Sequence, residues 1–120
     1  MQLHVNNIDQ VTIVDIDGEI DWNTSQDIQA QVGAQIHEGA KILLDLSGVE
    51  FMSSAGFRML LSMYREIEAQ HGRLALVKLS EQIKDLMAIT GFLKYFPTLP
   101  SVEDGVRALQ QENSKESPGV

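Results

Sequence analysis

The chain reads as a single α/β domain: a mixed, mostly parallel sheet of about five strands with about four helices packed against it. Two observations carry that reading. Apolar runs of strand length alternate with helical patterns after an opening hairpin, and an alternating order of this kind favours parallel strands joined by helical crossovers. The central run, Ile42-Leu43-Leu44, is apolar without interruption, as in a strand covered on both faces. The 120 residues suffice for one buried core, and no internal repeat or linker divides them.

The elements follow in order. Leu3–Val5 is a short alternating strand, and Asn6, Asn7 and Asp9 supply turn chemistry before the strand Val11–Ile16. Two strands so closely joined form an antiparallel hairpin. After Gly18 and Glu19-Ile20-Asp21-Trp22-Asn23, Thr24 is placed to cap a first helix. Its stripe is Ile28, Val32 and Ile36, and Gly39 ends it. The buried strand Ile42–Leu46 leads through a loop to a second helix from about Ala55 to Gln70. Phe57, Leu60, Leu61, Tyr64 and Ile67 fall on its inner arc, and Met59 on the polar side with Arg58, Ser62 and Glu66. Gly72 closes this helix.

Leu74–Leu79 is the next strand. Ser80 caps a third helix that turns Ile83, Leu86 and Met87 inward and stops at Gly91. Tyr95 and Phe96, ahead of Pro97, suggest a short edge strand, where a proline is tolerated. Ser101 and Asp104 resemble a capping box for a final helix with Val102, Val106 and Leu109 inward. The domain is thus expected over residues 1–111, with 112–120 a flexible tail.

Composition narrows the function classes. Seventeen acidic against nine basic residues leave a formal charge of −8, which argues against nucleic acid and against anionic membranes as partners and favours a basic protein surface. There is no cysteine, so disulfides, thiolate catalysis and thiolate metal sites are excluded. The first residues lack the basic flank and apolar stretch of a signal peptide, and no run spans a bilayer, so a cytoplasmic protein is expected. His4, His37 and His71 share no ligand spacing. Asp15, Asp17, Glu19 and Asp21 lie in a strand-and-turn pattern unlike a calcium loop, so no metal is expected. Asp45 lacks an acidic pair and a lysine partner of the receiver kind, and is read as bonded to the following loop. No nucleophile–base pair and no phosphate-cradling loop is visible, so neither an enzyme nor a cofactor is expected.

The remaining signal is Lys41–Gly56, KILLDLSGVEFMSSAG, which delivers Ser53 and Ser54 to the start of a helix. A hydroxyl residue there is most simply a cap. A helix start is also a place that holds phosphate, because its N–H groups and dipole favour negative charge.

DLSGVEFMSSAG resembles the signature of anti-sigma-factor antagonists of the STAS domain family. Those chains carry aspartate, a small polar residue and an aromatic, then aspartate–serine–(serine or alanine)–glycine at a helix start. Gly18-Glu19-Ile20-Asp21 is similar to the family's GELD-type turn, and Gly91-Phe92 matches the end of its third helix. The resemblance implies a partner-switching module. Unphosphorylated, it binds an anti-sigma factor that is also a serine kinase; phosphorylated, it lets go; a serine phosphatase restores it. Aligned on Gly56, the acceptor is Ser54. Ser53 stands where many members have aspartate, which also makes it a second candidate. The resemblance implies a contact surface of Asp21, Trp22, Asn23, Thr24, Ser53, Ala55, Gly56 and Arg58, with Met59 as an exposed apolar contact. Alternatives are a STAS subunit of a stressosome-like scaffold or lipid-transport complex, and a nucleotide-binding domain.

Overall fold

The structure is a computed structural model that describes the fold of residues 1–116 and the side chains of residues 1–111. Its strands are β1 (Gln2–Ile8), β2 (Val11–Asp17), β3 (Lys41–Gly48), β4 (Arg73–Val77) and β5 (Thr98–Leu99). Its helices are α1 (Trp22–Gly33), α2 (Ser54–Ala69), α3 (Glu81–Thr90) and α4 (Val102–Glu116). The five strands stand side by side in chain order. β1 and β2 are antiparallel and every later pair is parallel, the mixed sheet expected of this pattern.

Two apolar layers hold it. On one face of the sheet, Val14, Ile16, Ile42, Leu44, Leu46, Leu74 and Leu76 meet Ile28 and Val32 of α1, Leu60, Met63 and Ile67 of α2, and Ile83 and Met87 of α3. On the other, Val11, Ile13, Leu43, Ala75 and Val77 meet Val106 and Leu109 of α4. Alternate residues of β3 serve opposite layers, which is why its sequence shows no polar side.

Several boundaries differ from those the sequence suggests. β1 runs through Asn6 and Asn7, and the turn is Asp9-Gln10 alone, both residues with positive φ as a two-residue hairpin loop demands. α1 ends at Gly33, with Ala34 and not Gly39 at its C-cap, and Ile36 packs on the core from the loop. α2 ends at Ala69 with Gln70 as its C-cap, so Gly72 follows the helix stop. β4 stops at Val77, two residues short of Leu79.

Leu86 points outward, not inward: α3 touches the core along the narrow i, i+4 line of Ile83 and Met87, and Leu86 falls outside it. Gly91 does stop α3, in the left-handed conformation a glycine adopts without strain. Tyr95 is not in a strand. Phe92–Tyr95 forms a 3-10 turn, and the edge strand follows Pro97. These aromatics are spent on packing. Phe92 stacks on Phe57 with ring centroids 5.7 Å apart, and Tyr95 and Phe96 each lie 5.6 Å from Tyr64. α4 carries on to Glu116, past Glu112, where the sequence places the start of a tail; residues 117–120 of that tail lie outside the described residues.

Candidate functional site

β2 and β3 are parallel neighbours, so their C-terminal ends open at the same end of the sheet and launch α1 and α2 from adjacent points. A small backbone clasp fixes this pairing beyond the strands. Ile20 and Met52 form an isolated parallel bridge. The Ile20 N–H donates to the Phe51 carbonyl at 3.1 Å, and the Ser53 N–H donates to the Ile20 carbonyl at 2.9 Å. Both side chains of the bridge are buried. The residue after Ile20 is the cap position of α1 and the residue after Met52 the cap position of α2, so the two helix starts are held side by side.

Gly56 is part of the clasp. A methyl group on its Cα would run into Cγ of Met52 and Cγ2 of Ile20. The first turn of α2 therefore approaches the bridge only because position 56 has no side chain.

At α1 the cap is Asp21, not Thr24. Asp21 Oδ1 accepts from the Thr24 N–H at 3.0 Å, and Thr24 Oγ1 accepts from the Asp21 N–H at 2.9 Å, a reciprocal capping box. Thr24 Oγ1 also donates to the Glu19 carbonyl at 2.9 Å, tying the preceding turn to the helix. The bond from the Thr24 amide holds the Asp21 carboxyl below the usual carboxylate range; its ionised form is the better acceptor. The helix thus starts at Trp22, three residues earlier than a Thr24 cap implies. Trp22, the chain's one tryptophan, is 64% exposed, and Asn23 is exposed beside it.

At α2 the arrangement differs. Ser53 occupies the cap position with extended backbone, but its side chain makes no cap hydrogen bond. Its Oγ is buried and has no hydrogen-bond partner among the described residues. Ser54, the first helical residue, is exposed. The Ser53 carbonyl accepts from the N–H groups of Gly56 and Phe57, at 2.9 and 3.2 Å. The N–H groups of Ser54 and Ala55 precede these and have no protein partner among the described residues.

Along α2, Arg58 is exposed and Ala55 half-buried. Met59 is only 3% exposed, which corrects its assignment to an open contact patch. The reason lies in the packing: α1 covers the same sheet face as α2, so α2 buries the side toward α1 as well as the side toward the sheet. Phe57, Leu61 and Tyr64, placed on the inner arc from sequence, are half-buried on the opposite flank, while Met63 takes the centre. Met59 instead floors a shallow groove between the helices, lined by Trp22, Gln26, Gln29, Ala55, Arg58 and Ser62. Across it the Gln29 amide donates to Ser62 Oγ at 3.2 Å.

The structure thus brings together Asp21, Trp22, Asn23, Thr24, Ser53, Ser54, Ala55, Gly56 and Arg58, and puts Met59 beneath them. Sequence reasoning left out Phe51, which is half-exposed in the clasp loop and faces a hollow also lined by Asp17, Glu19 and Glu50. The aromatic between Glu50 and Met52, just ahead of the helix start, was the available signal. Asp45 bonds to the loop as expected, accepting from the Ser47 N–H at 3.0 Å. It also has the lysine the sequence seemed to lack: Lys78 Nζ lies 3.6 Å from Asp45 Oδ2. Among the described residues no group of His, Asp or Glu side chains is placed to hold a metal, and no helix is long and apolar enough to cross a membrane.

Comparison with known proteins adds to this geometry. Residues 2–105 match the STAS domain family. BtrV of Bordetella bronchiseptica is 29% identical over 92% of this chain and 96% of its own length. The anti-sigma F factor antagonist of Paenibacillus polymyxa is 27% identical over 81% of this chain and 85% of its own. Among solved structures, an anti-sigma factor antagonist from Mycobacterium paratuberculosis superposes with a TM-score of 0.81 at 28% identity, covering 91% of this chain and 93% of that one.

Proposed function

The chain belongs to the STAS domain family, and on that premise we propose that it is an anti-sigma-factor antagonist switched by phosphorylation of Ser54. Its unphosphorylated form docks an anti-sigma factor that is also a serine kinase. The kinase transfers phosphate to the Ser54 hydroxyl, docking ends, and a serine phosphatase resets the chain. The protein is a substrate and a binding module in the cytoplasm, not a catalyst.

One observation carries the choice of residue. Ser54 is an exposed residue at the start of α2, whereas the Ser53 Oγ one position earlier is buried. A kinase must reach the oxygen it modifies, so the two serines are not equivalent.

The surroundings suit a switch that leaves the fold alone. A phosphoserine adds about −1.5 to −2 charges at pH 7. Here it would stand at the positive end of α2, beside N–H groups of Ser54 and Ala55 that have no protein partner among the described residues. Within the chain the added charge is accommodated, so the penalty falls on the partner through bulk and through altered charge at the contact. Trp22, Asn23, Ala55 and Arg58 supply the direct contacts. Asp21, Thr24 and Gly56 hold the two helix starts in register, and Ser53 sets the backbone of the second.

Incubation with a cognate kinase and ATP, followed by mass mapping of the modified peptide, tests this reading. Phosphate on Ser54, abolished in Ser54→Ala and retained in Ser53→Ala, is the expected result. Phosphate on Ser53, or on neither serine, would contradict it.

A further inference from the structure

The two edges of the sheet are built differently. β5 is two residues long and stands between Pro97 and Pro100, an edge kept short and poor in donors. β1 is seven residues long, Gln2-Leu3-His4-Val5-Asn6-Asn7-Ile8, with no proline, glycine, aspartate, glutamate, lysine or arginine. Its pairing with β2 is regular from end to end, without a bulge, and six of its seven residues are exposed. Among the described residues, none of the usual devices that keep an edge from pairing is present.

The hairpin loop fixes which backbone groups are free. A two-residue loop makes Ile8 and Val11 a hydrogen-bonded pair, so Ile8, Asn6, His4 and Gln2 turn their N–H and C=O groups toward β2. Leu3, Val5 and Asn7 turn theirs away from the sheet. Three outward residues at spacing two form a set symmetric about Val5. An antiparallel second copy placed on a twofold axis there would pair Val5 with Val5, Leu3 with Asn7 and Asn7 with Leu3. Each pair exchanges both its N–H···O bonds, and the Val5 side chains, 40% exposed in the single chain, meet across the axis.

Charge points to the same place. At −8, two copies repel through most of their surfaces. β1 adds no Asp, Glu, Lys or Arg to the contact.

We propose that two copies of this chain pair through β1 into a continuous ten-stranded sheet with an isologous twofold interface. The edge is about 24 Å long, less than a standard interface provides, so the dimer is concentration-dependent. The pairing lies along the side of the sheet and uses none of the residues around Ser54.

The chain contains no cysteine, so a single introduced one reports the geometry directly. In Val5→Cys the two sulfurs meet across the axis, with Cα atoms about 5.5 Å apart, within disulfide range. In Asn7→Cys the symmetry mate is four residues away along the strand, beyond reach. Mild oxidation of the full chain should yield covalent dimer from Val5→Cys and little from Asn7→Cys. Sedimentation of the wild type should move toward twice 13.3 kDa between low micromolar and near-millimolar concentration. Val5→Pro, which removes an outward N–H only, and Val5→Lys, which sets two cations on the axis, should stay monomeric with an unchanged far-ultraviolet dichroism spectrum. A wild type that is monomeric throughout, as when this edge serves a strand of another protein, would overturn the proposal. So would equal cross-linking of the two cysteine variants, or a dimer that survives both Val5→Pro and Val5→Lys.

Discussion

The start of α2 is finished differently from the starts of the other three helices. Asp21 caps α1, Ser80 caps α3 by accepting from the Ile83 N–H at 3.2 Å, and Ser101 caps α4 by accepting from the Asp104 N–H at 3.1 Å. Ser53 has the right residue type at the right place before α2 and makes no such bond. A serine that can cap but does not leaves the first N–H groups of its helix unclaimed. Local stability would be better served by a bonded cap. The open end is the one where the exposed residue Ser54 stands, and the clasp of Ile20 and Met52 holds that end in place through the backbone.

The largest expected effect comes from breaking the clasp. Gly56→Val drives a branched side chain into Met52 and Ile20 and is expected to cost about 2–3 kcal/mol in denaturant unfolding. A variant as stable as the wild type would show that the close approach at position 56 does not hold α2. Next, Asp21→Ala strips α1 of its cap, makes its start resemble that of α2 and should lower stability. Ser80→Ala should cost about 1 kcal/mol at α3. Ser53→Ala sharpens the contrast, because it removes a buried hydroxyl that has no partner; stability should stay within about 0.5 kcal/mol of wild type or rise slightly. If Ser53→Ala destabilised as much as Ser80→Ala, the two caps would be equivalent after all.

The smallest effect is with pH. The folded Asp21 carboxyl titrates below its unfolded value, so the cap's contribution is complete above about pH 4 and is lost as pH falls through the folded value. Carboxyl chemical shifts followed by NMR should place Asp21 below an ordinary aspartate, and Thr24→Ala, which keeps the backbone N–H and removes only the hydroxyl, should leave most of that lowering in place.

Much of this was legible in the sequence where the signal was local. β2, β3 and β4 announce themselves as apolar runs, Gly91 as a stop, and Ser80 and Ser101 as caps. The errors have physical causes. Asp21 and Thr24 are both good capping residues three apart, and the reciprocal box uses both, so residue type alone could not say which stood at the cap. Tyr95 and Phe96 have strand-like character, yet their rings are spent against Tyr64. Met59 was set outside because a helix wheel assumes one buried face, while α2 is covered by the sheet and by α1. Lys78 meets Asp45 because β3 and β4 pair Asp45 with Val77, a register that no local pattern reveals. Apart from the buried Met59, the residues singled out from the sequence stand together at the starts of α1 and α2. What the sequence did not show was the difference between Ser53, whose oxygen is buried, and Ser54, which is an exposed residue.

The most direct test of the account compares the unphosphorylated chain with the chain phosphorylated on Ser54, measuring affinity for the proposed partner, an anti-sigma factor with kinase activity, by calorimetry and melting temperature in parallel. The account predicts that phosphorylation weakens binding at least tenfold, about 1.4 kcal/mol, and leaves the melting temperature unchanged or slightly higher. Equal affinity of the two forms, or lost binding that merely tracks a collapse in melting temperature, would contradict it.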